Sequence, residues 1–182
     1  MPNPSWVIVI IEDEHHEMVV RRYLRKRGIE PRQVRFERSP SGSGNAEGWV
    51  RKKFAKEVGV CRNRQARAAS GLVAMIDADN HTVDERFRQL DQSLHEEGQP
   101  LVRNDEQIVR LVPRRNIETW ILSLTGTQVD ETSDYKQERN DWKELIPNAS
   151  EALFHLTQQD VLPGTCIDSL RRGVRELHRL HY

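Results

Sequence analysis

Two acidic side chains stand one residue apart, Asp77 and Asp79, directly after the apolar residues 72–76. Side chains alternate along an extended segment, so we expect both carboxylates to point to the same side. Two carboxylates this close repel each other and are costly to desolvate unless a cation binds between them. Mg²⁺ or Mn²⁺ suits such a pair, because these ions take oxygen ligands and Mg²⁺ is usually held by one or two carboxylates with substrate phosphates.

Two further acids, Glu12 and Glu118, follow other apolar runs. Glu12 comes directly after the run at 6–11, and Glu118 lies five residues after Pro113, past the run at 108–112. With Asp77 and Asp79 they form a candidate metal site. His15 and His16 lie near Glu12, but a carboxylate-rich set favours Mg²⁺ or Mn²⁺ over zinc.

A purely structural role for the same acids stays open. An Asp-x-Asp after a strand is also common as a turn or helix N-cap, and "DADNHT" at 77–82 supplies good capping residues for the next helix. Glu118 could equally be a solvated acid at the start of a helix, where the helix dipole favours negative charge.

The acids can meet only if the elements before them end at a common edge. Residues 6–11, "WVIVII", are β-branched and apolar throughout, which indicates a strand buried on both faces. Further strands are predicted at 34–36, 72–77 and 108–112. Four helices are predicted. One spans 14–27, one begins at about Asn45, one begins at about Val83, and a short one ends at about Leu124. This alternation favours an α/β fold with about four mainly parallel strands and helices on both faces, and such sheets bind ligands outside the carboxyl ends of the strands.

From about Gly126 the composition becomes polar, without a strand pattern. A helical pattern then follows at 167–180, where Ile167, Leu170, Val174 and Leu177 share one face. We therefore divide the chain into a catalytic part, 1–125, and a polar loop with a helical C-terminal extension packed on it, 126–182.

The bulk composition is neutral. The chain has 182 residues with 28 basic and 28 acidic side chains, so only the distribution of charge bears on partners. The two cysteines match no metal-ligand spacing, and no secretory signal or membrane-spanning stretch is visible. We expect a cytoplasmic protein with reduced thiols and no membrane partner.

Basic residues cluster after a Ser- and Gly-rich loop, "SPSGSGNAEG". Between residues 51 and 70 seven bases meet one acid, which suggests a surface for the phosphate backbone of a nucleic acid. A solvated helix face and a flexible loop are the alternatives. The predicted nucleic-acid-binding residues are Arg51, Lys52, Lys53, Lys56, Arg62, Arg64, Arg67, Arg114 and Arg115.

Two segments resemble the motifs of the Toprim domain, the Rossmann-like fold of topoisomerases, bacterial primases and nucleases of the overcoming-lysogenisation-defect class. "VIVIIEDEHHEMVVRRYL" resembles the first motif, with Glu12 in the glutamate position, and "VAMIDADN" the second, with Asp77 and Asp79 in the metal positions. The resemblance covers roughly residues 6–124, although Asp13 stands where the family usually has glycine. "VPRRNIETWIL" is similar to a segment of small stand-alone Toprim-like proteins of prokaryotic defence loci, which makes Glu118 a candidate additional ligand.

The resemblance implies phosphodiester cleavage, with Mg²⁺ or Mn²⁺ on Asp77 and Asp79 and with Glu12 as general acid/base or ligand of a second metal. A topoisomerase needs a tyrosine on a separate domain and a primase needs a zinc module, and neither is visible. We therefore expect a metal-dependent nuclease acting on DNA or RNA in anti-phage defence. One alternative is a subunit that works only with a larger ATPase partner. A nucleotide binder is disfavoured, since "EDEHHE" stands where a dinucleotide site has its glycines.

Overall fold

A parallel sheet with helices on both sides forms the molecule. The computed structural model describes residues 6–40, 44–65 and 69–180. Within these ranges the strands are β1 (Trp6–Ile11), β2 (Val34–Arg38), β3 (Ser70–Met75) and β4 (Ile108–Leu111), and the helices are α1 (Glu14–Lys26), α2 (Ala46–Gln65), α3 (Val83–Glu96), α4 (Ile117–Leu124), α5 (Trp142–Leu156) and α6 (Asp168–Leu177). The strand order is β2-β1-β3-β4 and every pairing is parallel. The predicted α/β class and four-stranded parallel sheet are confirmed.

The sheet is buried on both faces, which explains its uninterrupted apolar strands. Along β1, Val7, Val9 and Ile11 point into the core formed with α1, α4, α5 and α6. Ile8 and Ile10 point into the opposite core, formed with α2 and α3. Asp77 continues the alternation of Val73 and Met75 and so faces the α1 side.

The C-terminal helices complete the α1 side of the sheet. Trp142, Ile146 and Leu153 of α5 are buried in the same core as α1. The predicted apolar face of the last helix is present, with Leu170, Val174 and Leu177 buried. The helix α6 passes so close to α4 that a Cβ atom at residue 173 would lie 2.2 Å from the ring of Trp120, so glycine is required there. The predicted helical extension therefore packs on the sheet.

Main-chain pairing continues beyond the ends of β3 and β4. The N–H groups of Ile76, Ala78 and Asp79 donate to the carbonyl oxygens of Leu111 (3.0 Å), Pro113 (2.9 Å) and Arg115 (2.9 Å). This extra pairing fixes the backbone that carries the acids after β3. None of the described helices is long and apolar enough to cross a membrane.

Candidate metal centre

Glu12 and Asp77 are brought together by neighbouring parallel strands. Ile11 of β1 is paired with Met75 of β3. Glu12 follows Ile11 directly, and Asp77 follows Met75 after one intervening residue. The backbone N–H of Asp77 donates to Glu12 Oε1 over 2.8 Å. The side chain of Asp77 is only 4% exposed. The strand order therefore places both carboxyl groups at the carboxyl edge of the sheet, as the sequence predicts.

Glu118 reaches the same edge from the first turn of α4. Asn116 caps this helix with its side-chain oxygen. The Glu118 side chain is fully buried, and its Oε1 lies 2.7 Å from His15 Nδ1. Its other oxygen, Oε2, has no hydrogen-bond partner. A buried carboxylate oxygen without a partner is costly, so a cation, a proton or an ordered water would stabilise it.

The first turn of α1 supplies three site residues that the sequence analysis did not select. Asp13 Oδ1 accepts hydrogen bonds from the N–H groups of His15 (2.9 Å) and His16 (3.2 Å) and so caps α1. The same oxygen lies 2.9 Å from His16 Nδ1, and His16 Nε2 lies 3.0 Å from Asp77 Oδ1. The sequence could have indicated these residues, because an N-cap acid is followed by two histidines in the first turn of a helix. A helix that follows a parallel strand starts at the carboxyl edge of the sheet, where ligands bind.

The electrostatics of the cluster reflect crowded negative charge. Burial and then the charge of Asp77 raise the pKa of Glu12 to about 8. Burial also raises the pKa of Asp77 to about 6, although His16 opposes the shift. Burial lowers the pKa of His16, but Asp77 and Asp13 outweigh it and hold that pKa well above its usual value. The carboxylates at this edge therefore have too few positively charged partners. A bound divalent cation would reduce the repulsion between them.

Lys136, from the polar loop after α4, adds a cation at the rim. Its Nζ lies 3.9 Å from Asp13 Oδ2, and its side chain is 52% exposed. Burial lowers its pKa, but Asp13, Asp77, Glu118 and Glu12 together raise it above the usual value. No local pattern could have selected Lys136, because its position depends on the path of an irregular loop.

Asp79 has a different environment from Asp77. Its backbone is left-handed, with φ of 52°, so the alternation of the strand ends there. Its Oδ2 lies 3.3 Å from Nη2 of Arg86 in α3, and its side chain is 54% exposed. The expectation that both acids share one orientation is therefore wrong. The cap of α3 is Thr82, whose hydroxyl accepts from the N–H of Glu85, so neither acid serves as the N-cap considered from the sequence.

Most of the predicted nucleic-acid-binding residues have partners within the chain. Arg51 pairs with Glu47 at 2.9 Å, and Lys53 pairs with Glu57 at 3.2 Å. Arg62 donates to both oxygens of Glu106, at 2.7 and 3.0 Å. Lys52, Lys56 and Arg64 are exposed and form no ion pair with the described residues. Arg67 lies outside the described residues, as do residues 41–43 of the Ser- and Gly-rich loop.

Arg114 and Arg115 hold the turn after β3. Arg114 Nη1 donates to the carbonyl oxygen of Asp79 over 3.2 Å and also to that of His81. Arg115, itself left-handed with φ of 64°, donates to the same Asp79 oxygen over 3.4 Å and to the side chain of Asn80. A guanidinium bound by carbonyl oxygens keeps its net charge, so Arg114 brings positive potential close to the acids.

The donor set fits a hydrated hard cation rather than a closed cage. Among the described residues, no three His, Cys, Asp or Glu side chains are already arranged around a metal position. Mg²⁺ does not need such a cage, because it keeps several waters and is held by one or two carboxylates and substrate phosphates. Asp77, Glu118 and Glu12 could supply those carboxylates, and the unpartnered Oε2 of Glu118 supports this fit.

Comparisons of the chain with protein-family models, with curated proteins and with solved structures gave no match.

Proposed function

We propose that the protein is a nuclease that uses Mg²⁺ or Mn²⁺ to hydrolyse phosphodiester bonds in DNA or RNA. The observation that carries this proposal is the meeting of Glu12, Asp77 and Glu118 at the carboxyl edge of the sheet, with one buried oxygen of Glu118 unpartnered. Bound there, the metal would act as a Lewis acid and template for the scissile phosphate.

The residues of the site divide into holding and proton-transfer roles. Asp77 and Glu118 would hold the metal, and their carboxylates contact His16 and His15 respectively. Glu12 accepts the backbone N–H of Asp77 and would be the general acid/base; burial and Asp77 raise its pKa, and a bound cation would lower it again. Asp79, predicted as a further ligand, would have to leave Arg86 to join the site.

Substrate phosphates would meet the positive charge around this edge. Lys136 and Arg114 lie next to the acids, and Lys52 and Lys56 are exposed on α2. Contacts of this type bind the backbone without reading the base sequence. The similarity of "VPRRNIETWIL" to defence-locus proteins supports an anti-phage role in the cytoplasm of a prokaryote.

A second candidate is a subunit that becomes active only when a larger ATPase partner presents the substrate. One observation favours it. The basic helix α2 has much of its charge paired inside the chain, so an independent nucleic-acid surface is small.

A cleavage assay on single- and double-stranded DNA and RNA tests the first candidate. We expect metal-dependent cleavage by the wild type and a loss of about 100-fold or more for Asp77→Asn, because a charged group that stabilises the transition state is removed. Asp160→Asn, at an exposed position, is the matched control and should retain activity. Equal cleavage by wild type and Asp77→Asn would contradict the proposal. Activity that appears only with an added ATPase would favour the second candidate.

A further inference from the structure

His16 occupies an unusual position for a histidine in a hydrophobic core. It is completely buried, and both of its ring nitrogens face carboxylate oxygens, Asp13 Oδ1 at 2.9 Å and Asp77 Oδ1 at 3.0 Å. The Asp13 oxygen is itself fixed, since it also accepts the backbone N–H groups of His15 and His16. A carboxylate that binds one ring nitrogen sets the direction of the other, and metal-binding histidines are commonly oriented in this way.

The distance between the two inner atoms also suits a metal. Two ligands at right angles around one ion, with bonds of about 2.1 Å, lie about 3.0 Å apart. His16 Nε2 and Asp77 Oδ1 are 3.0 Å apart, a hydrogen-bond distance that is also close to this ligand separation, so a cation can replace the shared proton once both side chains turn their lone pairs toward it. The proton on Nε2 leaves to solvent as the metal takes its place. The unpartnered Oε2 of Glu118 provides a further oxygen at the same edge.

We propose that His16 Nε2 is a direct ligand of the metal held by Asp77, and that the site accepts a first-row transition ion such as Mn²⁺ or Co²⁺ in preference to Mg²⁺. An imidazole is a poor ligand for Mg²⁺ and a better one for transition ions. This inference rests on the proposed function for the presence of a metal at this edge, and it adds the identity of a ligand and the class of ion.

His15 differs from His16 in the contacts of its second ring nitrogen. Its Nδ1 lies 2.7 Å from Glu118 Oε1, and its side chain is 22% exposed. No described carboxylate contacts its second nitrogen. His15 is therefore assigned as a positioning residue for Glu118, whereas His16 has the orienting partner of a metal ligand.

The test uses the wild-type protein labelled with ¹⁵N-histidine and loaded with one Mn²⁺ per chain. Pulsed electron paramagnetic resonance should detect coupling of the manganese spin to ¹⁵N, in place of the ¹⁴N coupling of the unlabelled protein. Because this measurement needs no mutation, it does not depend on the folding of a variant. Mn²⁺ bound without nitrogen coupling would overturn the proposal.

Variants then assign the nitrogen. His16→Gln should lose the coupling and bring the ratio of Mn²⁺ to Mg²⁺ affinity down by about 10-fold or more. The exposed His155→Gln should keep both, and His15→Gln should keep the coupling. Coupling that survives in His16→Gln and disappears in His15→Gln would contradict the assignment.

Failure of this inference and failure of the nuclease proposal have different signatures. A wild type that cleaves nucleic acid with Mn²⁺ but shows no histidine coupling contradicts only the ligand assignment. A wild type that shows the coupling but cleaves no nucleic acid, alone or with an ATPase, contradicts only the nuclease.

Discussion

At the scale of single residues, the acids of the site differ in what holds them. Asp77 and Glu118 each contact a histidine from consecutive positions of α1, while Asp79 contacts Arg86 of α3. Strand alternation predicted the orientation of Asp77 correctly, because Asp77 continues the extended backbone. It could not predict Asp79, because the left-handed backbone at that residue arises from the turn and from the arginines that hold its carbonyl oxygen.

Arg86 joins three parts of the molecule and offers a residue-scale prediction. Its side chain is 1% exposed, and its guanidinium lies 2.5 Å from Glu47 Oε2 in α2 and 3.3 Å from Asp79 Oδ2. We expect Arg86→Met to lower the free energy of unfolding by about 1 to 2 kcal/mol, because Glu47 and the carbonyl oxygen of Ala78 lose hydrogen bonds. Urea denaturation measures this change.

The control for Arg86→Met is Arg88→Met, which changes an exposed arginine on the same helix. Its unfolding free energy should stay within about 0.5 kcal/mol of the wild type. Equal stability of the two variants would show that the Arg86 contacts contribute nothing to folding.

At the scale of elements, the strands and most helices could be predicted because burial on both faces leaves a strong apolar signal. Helix α5 could not be located, since Pro147 lies inside it and a long polar loop precedes it. The loop that carries Lys136 gave no signal either. Its place depends on packing between distant parts of the chain, such as the hydrogen bond of Asn116 to Asp134 at 2.7 Å.

The basic residues of helix α2 lie at different distances from the carboxyl edge of the sheet. A helix that follows a parallel strand starts at the carboxyl edge of the sheet and runs back toward the opposite edge. Arg62 lies about 24 Å along the axis from the start of α2, at 1.5 Å per residue. It contacts the loop before β4, through the carbonyl oxygens of Pro100 and Leu101 and the carboxylate of Glu106. Arg62 therefore holds elements together at the edge opposite the acids.

The Arg62–Glu106 pair predicts a pH-dependent contribution to stability. Burial raises the pKa of Glu106, but hydrogen bonds from Arg62 and from the backbone N–H of Arg103 outweigh it and hold that pKa below the usual 4.5. A depressed folded-state pKa stabilises the protein above the unfolded-state pKa, and this stability is lost as pH falls through the folded value. We expect Glu106→Gln to lower the unfolding free energy by about 2 kcal/mol at pH 7.

The difference between Glu106→Gln and wild type should shrink as pH is lowered from 5 toward 3, as followed by denaturant unfolding at each pH. Glu97→Gln, at an exposed acid, should match the wild type throughout. A Glu106→Gln deficit that stays constant from pH 7 to 3 would contradict the assigned charge interaction.

At the scale of the whole molecule, equal numbers of basic and acidic residues conceal a local separation of charge. Four acids, Glu12, Asp13, Asp77 and Glu118, lie together at the carboxyl edge, whereas Lys52 and Lys56 of α2 are exposed bases without an ion pair among the described residues. These lysines lie nearer the carboxyl edge than Arg64 does, because α2 starts at that edge. Since α2 packs on the face of the sheet opposite α1, we propose that a nucleic acid bound at the metal centre passes over the carboxyl edge to reach them.

Binding of a short DNA duplex at several salt concentrations checks this arrangement. The double variant Lys52→Gln, Lys56→Gln should bind more weakly. The slope of log affinity against log salt concentration should decrease in magnitude by about 2, one for each lysine. Arg64→Gln removes an equally exposed base at the far end of α2 and should leave the slope unchanged. A larger effect from Arg64→Gln would place the nucleic acid elsewhere on the molecule.

Calorimetric titration of Mn²⁺ into three proteins tests most directly whether Asp77 and its neighbours form a metal centre. We predict one site in the wild type, affinity weaker by about 100-fold or more in Asp77→Ala, and a smaller loss in Asp79→Ala, because Asp79 is bound to Arg86. Identical isotherms for the wild type and Asp77→Ala would contradict the claim and leave the buried acids as structural partners of His15 and His16.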